Sequence, residues 1–352
     1  MNSLELFKTQ KFYQIDISIL KDLGYDVLLS NRIFDSLLFW KYDILFSYFY
    51  RYSFFAALLA KCFGKKTYFT GGIDSLDSDY ASAFNYKIQA LFFKLCYWVA
   101  DSCIIVSQSD LKNIFKVSSL KKKLSYSEHV INTKLFIADV PKEKIFTSIV
   151  WMGDEGNVVR KGVDKALQIF AELKKIPEFV DYRFVIIGRK GEGEVLVRSI
   201  IDKYNLKGSV ELKGEVSEED KINLLKQSKY YFQLSLYEGF GLAALEALCA
   251  NNIIIHSGKG GLANPIYKEQ LLFDIDNDFD SELLKLVNKL ACFTPITSYD
   301  NLLEYYDIQR RKDDFEAIIV NGKSNYKLKS TDELLYIVKN TNPFDTKSAS
   351  LV

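Results

Sequence analysis

The stretch Tyr237-Glu238-Gly239-Phe240-Gly241-Leu242, running on to Asn251, constrains the fold of this chain more than any other. Ahead of it the apolar run 230–234 reads as a buried strand. Behind it Leu242, Leu245, Leu248 and Cys249 recur at the spacing of one helix face, so the glycines fall at a strand-to-helix turn. The first amides of a helix have no partner inside it and carry the positive end of its dipole, and glycine lets a ligand approach the chain closely. Gly239, Phe240, Gly241 and Leu242 are therefore a candidate anion site, with phosphate the obvious ligand. Glu238 stands before the turn, and Glu246 lies about two turns on, on the side of the helix entrance. Carboxylates repel phosphate, so these two acids are expected to face hydroxyls, and a nucleotide-sugar offers hydroxyls and phosphate together.

At 352 residues the chain exceeds the usual size of one core and is expected to form two domains. A hydrophobic content of 48% with 26% charged residues is that of a soluble globular protein and argues against disorder. The net charge of +1 lacks the footprint of a nucleic-acid binder, so no nucleic-acid partner is expected. Residues 1–140 carry 17 Lys and Arg against 13 Asp and Glu, and the remainder 29 against 32, so the basic excess sits in the aromatic-rich part. The five cysteines show no Cys-x-x-Cys pair and read as reduced core thiols of a cytoplasmic protein. His129 and His256 have no second ligand type at metal spacing, so no metal site is expected. Residues 1–10 lack the basic start and long apolar core of a signal peptide. The most hydrophobic region, 44–60, is interrupted by Arg51 and short for a membrane span, so no transmembrane helix is expected.

In chain order, helix and strand patterns alternate. Residues 11–23 have helical spacing that Gly24 can end, and 26–29 begin a strand. Strand 43–46, helix 53–63, strand 66–69, helix 84–100 and strand 102–107 follow, which points to a parallel sheet of Rossmann type. Gly72 and Asp74 come just after strand 66–69, at the edge where open parallel sheets bind ligands, and are candidate acceptor contacts. Residues 138–144, with Pro141 and several charges, read as a linker. A second alternating unit runs through strand 145–152, helix 163–173, strand 182–188, helix 195–204, strand 210–213 and helix 217–227. Helices at 281–292 and 332–339 and a polar tail at 341–352 close the chain. The expected divisions are 1–140, 145–320 and a terminal helix and tail at 321–352.

The run Ser235 to Leu242 followed by Glu246-Ala247-Leu248 resembles the Glu, seven residues, Glu signature of the retaining GT-B glycosyltransferases, the glycosyl transferases group 1 or family 4-like enzymes. Arg160-Lys161-Gly162 resembles the Lys-Gly stretch of that family. Val185 to Gly188, Gly214-Glu215-Val216 and the glycine pair Gly260-Gly261 follow in the family's order. The resemblance covers residues 60–270. It implies an α/β GT-B fold, two Rossmann-like domains facing across a cleft, with the acceptor on the first and the donor on the second. It implies catalytic roles for Glu238, which orients the transferred sugar, and Lys161, which neutralises the leaving diphosphate. Glu246 would hold ribose hydroxyls, with Arg160 and the amides of Gly239, Phe240, Gly241 and Leu242 on the donor. The chain also departs from the family. Only residues 1–10 precede the first helix, where an opening strand and glycine-rich loop are usual, and glycines stand at 71–72 in place of a histidine. Asp154 and Glu155 follow Gly153 where an arginine is usual, so Arg160 is the expected replacement.

The resemblance implies transfer of a hexosyl group from a UDP- or GDP-linked sugar to a hydroxyl of a glycan or lipid-linked glycan, with retention and with no cofactor or obligatory metal. The leaving diphosphate would assist the incoming hydroxyl on the same face, and Glu238 is not assigned as a covalent nucleophile. Lipopolysaccharide, capsule or exopolysaccharide synthesis is the implied setting. Two alternatives stay open: a sugar-nucleotide 2-epimerase, or a non-catalytic GT-B partner subunit. Residues 84–100 interleave Phe84, Tyr86, Phe92, Phe93, Tyr97 and Trp98 with Lys87 and Lys94, and Lys121-Lys122-Lys123 follows. Such aromatics and lysines suit the interface of an anionic leaflet, so peripheral attachment at the inner face of the membrane is expected through Lys121 to Lys123. A sheet-packing helix followed by a solvated loop is the other reading.

Overall fold

A computed structural model describes residues 3–118, 122–137, 140–293 and 299–322. The expected helix at 332–339, the tail at 341–352 and Lys121 lie outside the described residues. The chain forms two compact units: the first takes the described residues up to Asn132 and again from Glu304, the second Thr133–Leu303.

In unit 1, helices α1 (Ser3–Thr9) and α2 (Lys11–Asp22) precede β1 (Ile44–Tyr48), α3 (Tyr50–Cys62), β2 (Lys66–Thr70), α4 (Ala83–Val99), β3 (Ser102–Ile105), α5 (Gln108–Val117) and β4 (Leu124–Tyr126). The four strands are parallel in the order β1-β2-β3-β4. Residues 26–29, expected as a strand, form none. They have no ladder partner, Leu28 is 69% exposed, and β1 is left as the sheet edge. An apolar run becomes a strand only where a neighbour satisfies its amides and carbonyls.

Unit 2 begins with β5 (Glu143–Ile149), α6 (Glu155–Arg160), α7 (Val163–Leu173), β6 (Arg183–Ile187), α8 (Glu194–Lys203) and β7 (Val210–Gly214). It continues through α9 (Glu218–Gln227), β8 (Ser228–Gln233), α10 (Leu242–Cys249), β9 (Ile253–His256), β10 (Leu271–Leu272) and α11 (Phe279–Cys292). All six strands are parallel, in the order β10-β9-β8-β5-β6-β7. The chain builds outward from β5 to β7, then crosses back and builds the other half from β8. The crevice between the ends of β5 and β8 is thus a topological switch point, where open parallel sheets bind ligands. Phe146 of β5 stacks on Tyr230 at 4.6 Å and on Phe232 at 5.1 Å, with Phe170 of α7 edge-on. Each such buried ring contributes roughly 1.5–3 kcal/mol and fixes the two strands whose ends carry the loops below.

Helix α12 (Tyr299–Tyr305) spans the boundary between the units, and α13 (Ile308–Phe315) belongs to unit 1, not to a second domain reaching residue 320. The reason is one fully buried ion pair. Arg311 donates from Nε to Asp16 Oδ1 at 2.6 Å and from Nη2 to Asp16 Oδ2 at 2.9 Å, and its Nη1 reaches the Ser127 carbonyl at 2.6 Å. Phe315, Ile318 and Ile319 then join Ile19, Leu20, Tyr68 and Ile104 in one apolar cluster.

Candidate active site

Three loops of unit 2 converge at the carboxyl ends of β5, β8 and β9. The first, after β5, includes α6, Lys161 and Gly162. Asp154, which stands where the family usually has an arginine, caps α6 by accepting from the Asn157 amide at 2.7 Å. Gly162 has φ +68, and a Cβ there would stand 2.0 Å from the Leu234 carbonyl oxygen, so only glycine lets this loop lie against the end of β8. The Leu236 amide donates to the Arg160 carbonyl at 2.8 Å and ties the two loops together.

Within that junction Lys161 Nζ stands 2.6 Å from Glu238 Oε2, with both side chains about four-fifths buried. The same Oε2 accepts from Ser235 Oγ at 3.2 Å and Gln233 Nε2 at 3.3 Å. Glu238 Oε1 has no partner among the described residues, which leaves one carboxylate oxygen for a ligand hydroxyl. Gln233 and Ser235 were missed in the sequence; their signal was the period-2 spacing of an extended segment aimed at Glu238.

Helix α10 starts at Leu242 behind Gly241, whose φ is +89, and no side chain caps it. Its first amides are the orphan donors expected there, at the positive end of the dipole. The ring of Phe240 is buried, so that residue can offer a ligand only its backbone. The third loop, after β9, packs under this turn: the Gly261 amide donates to the Glu238 carbonyl, and a Cβ on Gly260 would sit 2.2 Å from that oxygen. A cavity of about 370 Å³ lined by His256, Ser257, Lys259, Asn264 and Asp274 opens beyond that loop and includes neither Lys161 nor Glu238.

Glu246 is only 4% exposed, and its Oε2 accepts from Lys221 Nζ of α9 at 2.6 Å. Burial opposes the charge of Lys221, but Glu246 and Glu218, the latter at 3.0 Å, outweigh it and hold its pKa above the ordinary value. No sequence signal linked Lys221 to Glu246. Arg160 is not turned towards Lys161; its Nη2 and Nε bond Asn157 Oδ1 at 2.7 and 3.3 Å. Burial drives the pKa of His256 down to about 4 and that of His129 well below its usual value, so both imidazoles are neutral at pH 7 and unsuited to shuttling protons.

In unit 1, Gly72 and Asp74 follow β2, with Asp74 exposed at the start of a 3-10 turn (Asp74–Leu76). Beside them the sequence reading missed Asp110, which is fully buried on α5 and accepts from the Ile73 amide at 3.2 Å. Burial, with Asp74 and Asp77 nearby, raises its pKa to about 8.

Two parallel α/β units of this kind define the GT-B fold. They superpose on HepE of Anabaena, solved with UDP-glucose, with a TM-score of 0.66 at 12% identity over 87% of this chain and 88% of that one. Sucrose-phosphate synthase of Thermosynechococcus elongatus gives 0.58 at 17% identity over 94% and 79%. Residues 156–291, which hold Lys161, Glu238 and Glu246, match the family Glycosyl transferases group 1. The chain is 32% identical over 163 residues to a GDP-mannose:cellobiosyl-diphosphopolyprenol alpha-mannosyltransferase of Xanthomonas oryzae, covering 40% of each chain. It is 30% identical over 105 residues to one of the subunits of human phosphatidylinositol N-acetylglucosaminyltransferase, covering 30% of this chain and 21% of that protein. The matched stretch thus spans less than half the length of either relative.

Proposed function

We propose that this chain is a glycosyltransferase that moves a hexosyl group from a UDP- or GDP-linked donor to a hydroxyl, with retention and without an obligatory metal. The observation that carries the reading is the Lys161–Glu238 pair at the switch point, beside the uncapped start of α10. Diphosphate at that helix start would draw Lys161 away from Glu238 and gain an ammonium as charge develops on the leaving group. Glu238, held through Oε2 by Ser235 and Gln233, would turn its charge and its open Oε1 to the sugar hydroxyls. Glu246, paired with Lys221, would take ribose hydroxyls, and Gly239, Phe240, Gly241 and Leu242 would supply amides. Arg160 would have to leave Asn157 to reach phosphate, which makes it the lesser donor contact, and Gly72 and Asp74 are retained as acceptor contacts. With both histidines neutral, retention through same-face attack assisted by the leaving diphosphate suits the site, because that route needs no separate base.

The acceptor we favour is a lipid-linked glycan of the cell envelope, handled at the cytoplasmic face of the membrane. Support comes from the relatives' names, which specify a diphosphopolyprenol and a phosphatidylinositol as acceptors. A second reading is a non-catalytic subunit, favoured by the acids at 154–155 and by one relative's being a subunit of a larger transferase. Purified protein supplied with UDP- and GDP-sugars and polyprenyl-diphosphate acceptors should yield product whose anomeric proton coupling matches the donor's. Lys161→Ala should lower turnover more than Arg160→Ala. Nucleoside diphosphate binding without transfer or donor hydrolysis would favour the subunit reading, and inverted product would end the retaining one.

A further inference from the structure

The cavity beyond the loop after β9 takes no part in the sugar transfer proposed above. At about 370 Å³ it falls within the range of small-molecule sites, about 300–1,000 Å³. The end of β9 supplies His256 and Ser257, the chain that follows supplies Leu262, Asn264 and Tyr267, and the edge strand β10 supplies Leu272. Asn264 singles this cavity out. It stands at the N-cap of the 3-10 turn Pro265–Tyr267, where an asparagine side chain ordinarily accepts from a free amide, yet it makes no cap hydrogen bond. The residue is 1% exposed, and neither its Oδ1 nor its Nδ2 has a hydrogen-bond partner among the described residues. A buried amide that bonds to nothing is costly to keep, so this donor and acceptor in a cavity wall are placed to bond a ligand.

The other lining groups set the chemistry of that ligand. Both ring nitrogens of His256 are engaged: Nδ1 accepts from the Gly258 amide at 3.2 Å, and Nε2 lies 3.1 Å from the Tyr267 carbonyl oxygen. Lys259 is paired with Asp276, and Lys268 and Asp274, of opposite sign, complete the charged lining. The cavity therefore favours neither an anion nor a cation. It offers one neutral amide, donor and acceptor together, beside the apolar side chains of Leu262, Ala263 and Leu272. A neutral pyranose fits that combination, because its neighbouring hydroxyls each donate and accept while its ring C–H bonds form an apolar face. The same lining braces the turn at Glu238 from behind. Ser257 Oγ donates to the Ser235 carbonyl at 2.6 Å, and the Tyr267 hydroxyl donates to the Gly241 carbonyl at 3.3 Å. A sugar held here is separated by that loop from Lys161 and Glu238, so it is a different ligand from the sugar that is transferred.

We propose that unit 2 carries a second carbohydrate site at the carboxyl ends of β9 and β10, in which the Asn264 amide bonds two neighbouring hydroxyls of a neutral pyranose. The pyranose is a free sugar or one unit of a glycan, and the chemistry at Asn264 is the same for both. Binding is measurable on the full chain with no donor present. Among the methyl glycosides of glucose, mannose, galactose and N-acetylglucosamine, at least one should give a saturation-transfer NMR signal at millimolar concentration, and calorimetry gives its affinity. Asn264→Leu should weaken that affinity about tenfold, since the hydroxyls lose both partners. Leu272→Trp, at the exposed end of an edge strand, should abolish binding by filling the cavity with the amide left in place. Each variant tests the site by itself, so one that fails to fold leaves the other to decide. Glycosides that give no signal overturn the proposal, and so does a signal that survives either folded variant, because that sugar is then held elsewhere. Disaccharides that bind more tightly than the single glycoside identify a glycan as the occupant, and equal or weaker binding identifies a free sugar; both outcomes support the site. Calorimetry with UDP and GDP keeps the two readings apart: diphosphate binding without glycoside binding removes the second site alone, and the converse removes the sugar-transfer reading alone.

Discussion

Replacing Glu238 by Gln should affect binding and turnover in opposite directions. The ammonium of Lys161 is held 2.6 Å from Glu238, with side-chain exposures of 21% and 17%. Such a pair lies between the exposed class, at about 0.2–1 kcal/mol, and the buried class, where breaking one side costs about 3–5 kcal/mol. A discounted figure of ~1 kcal/mol is therefore the energy a diphosphate must overcome to recruit Lys161. Glu238→Gln keeps an acceptor for Ser235 and Gln233, removes that competition and removes a negative charge beside the phosphate site. Affinity for UDP or GDP should rise by about fivefold, the equivalent of ~1 kcal/mol. Turnover should fall by ~100-fold or more, because the group that orients the sugar loses the charge it presents in the transition state. Lys161→Ala should instead weaken diphosphate binding, and in that background Glu238→Gln should raise diphosphate affinity by less than it does in wild type, since part of its effect acts through the one shared contact. Isothermal calorimetry and initial rates give both quantities. Weaker diphosphate binding in Glu238→Gln, with an unchanged melting temperature, would refute the reasoning, because Glu238 would then support the phosphate site and not compete for its lysine.

Glu246→Gln should weaken nucleotide binding by about 1.5–3 kcal/mol through loss of a charge-assisted acceptor, and it should also lower the melting temperature, because Lys221 loses its main counter-charge; unchanged affinity by calorimetry would remove Glu246 from the ribose. Arg311→Met should destabilise unit 1 by about 3–5 kcal/mol by leaving buried Asp16 without its ion-pair partner, and urea unfolding that matches wild type would refute this. Asp110 binds its proton up to about pH 8 when folded and loses it near the ordinary carboxylate value when unfolded. The folded state therefore holds more protons between about pH 4 and 8, and stability from this group falls as pH rises through that window, by up to ~1.4 kcal/mol per unit. Asp110→Asn should flatten that slope in urea unfolding at stepped pH, and an unchanged slope would show that Asp110 is ionised in the fold.

The alternation of helix and strand is legible in the sequence because it depends on local spacing. Helix 163–173 follows from the positions of Val163, Ala166, Leu167, Phe170 and Leu173, all of which the structure buries, and the turn at Gly239–Gly241 follows from a strand pattern running into a helical one. The same logic marks Glu238 and Glu246 as candidate site residues, because one stands at the strand-to-helix junction and the other on a face of the helix that follows, while Lys161 is marked by its resemblance to the family's Lys-Gly stretch. What the chain path decided was which of them meet. Lys161 reaches Glu238 because β8 lies beside β5 and not beside β7, and Lys221 reaches Glu246 because α9 and α10 lie close together in that same half of the sheet. Residues 26–29 have the composition of a strand and find no neighbour, and α13 joins unit 1 through the closure of Arg311 on Asp16, two residues that no local spacing connects. Likewise the aromatics of α4 are visible in the sequence, but whether each ring enters the core or faces water depends on which side of the helix the sheet occupies. Periodicity is set by neighbours in the chain and can be read from it; pairing between residues far apart is chosen by the free energy of the whole packed unit, and no local pattern encodes it.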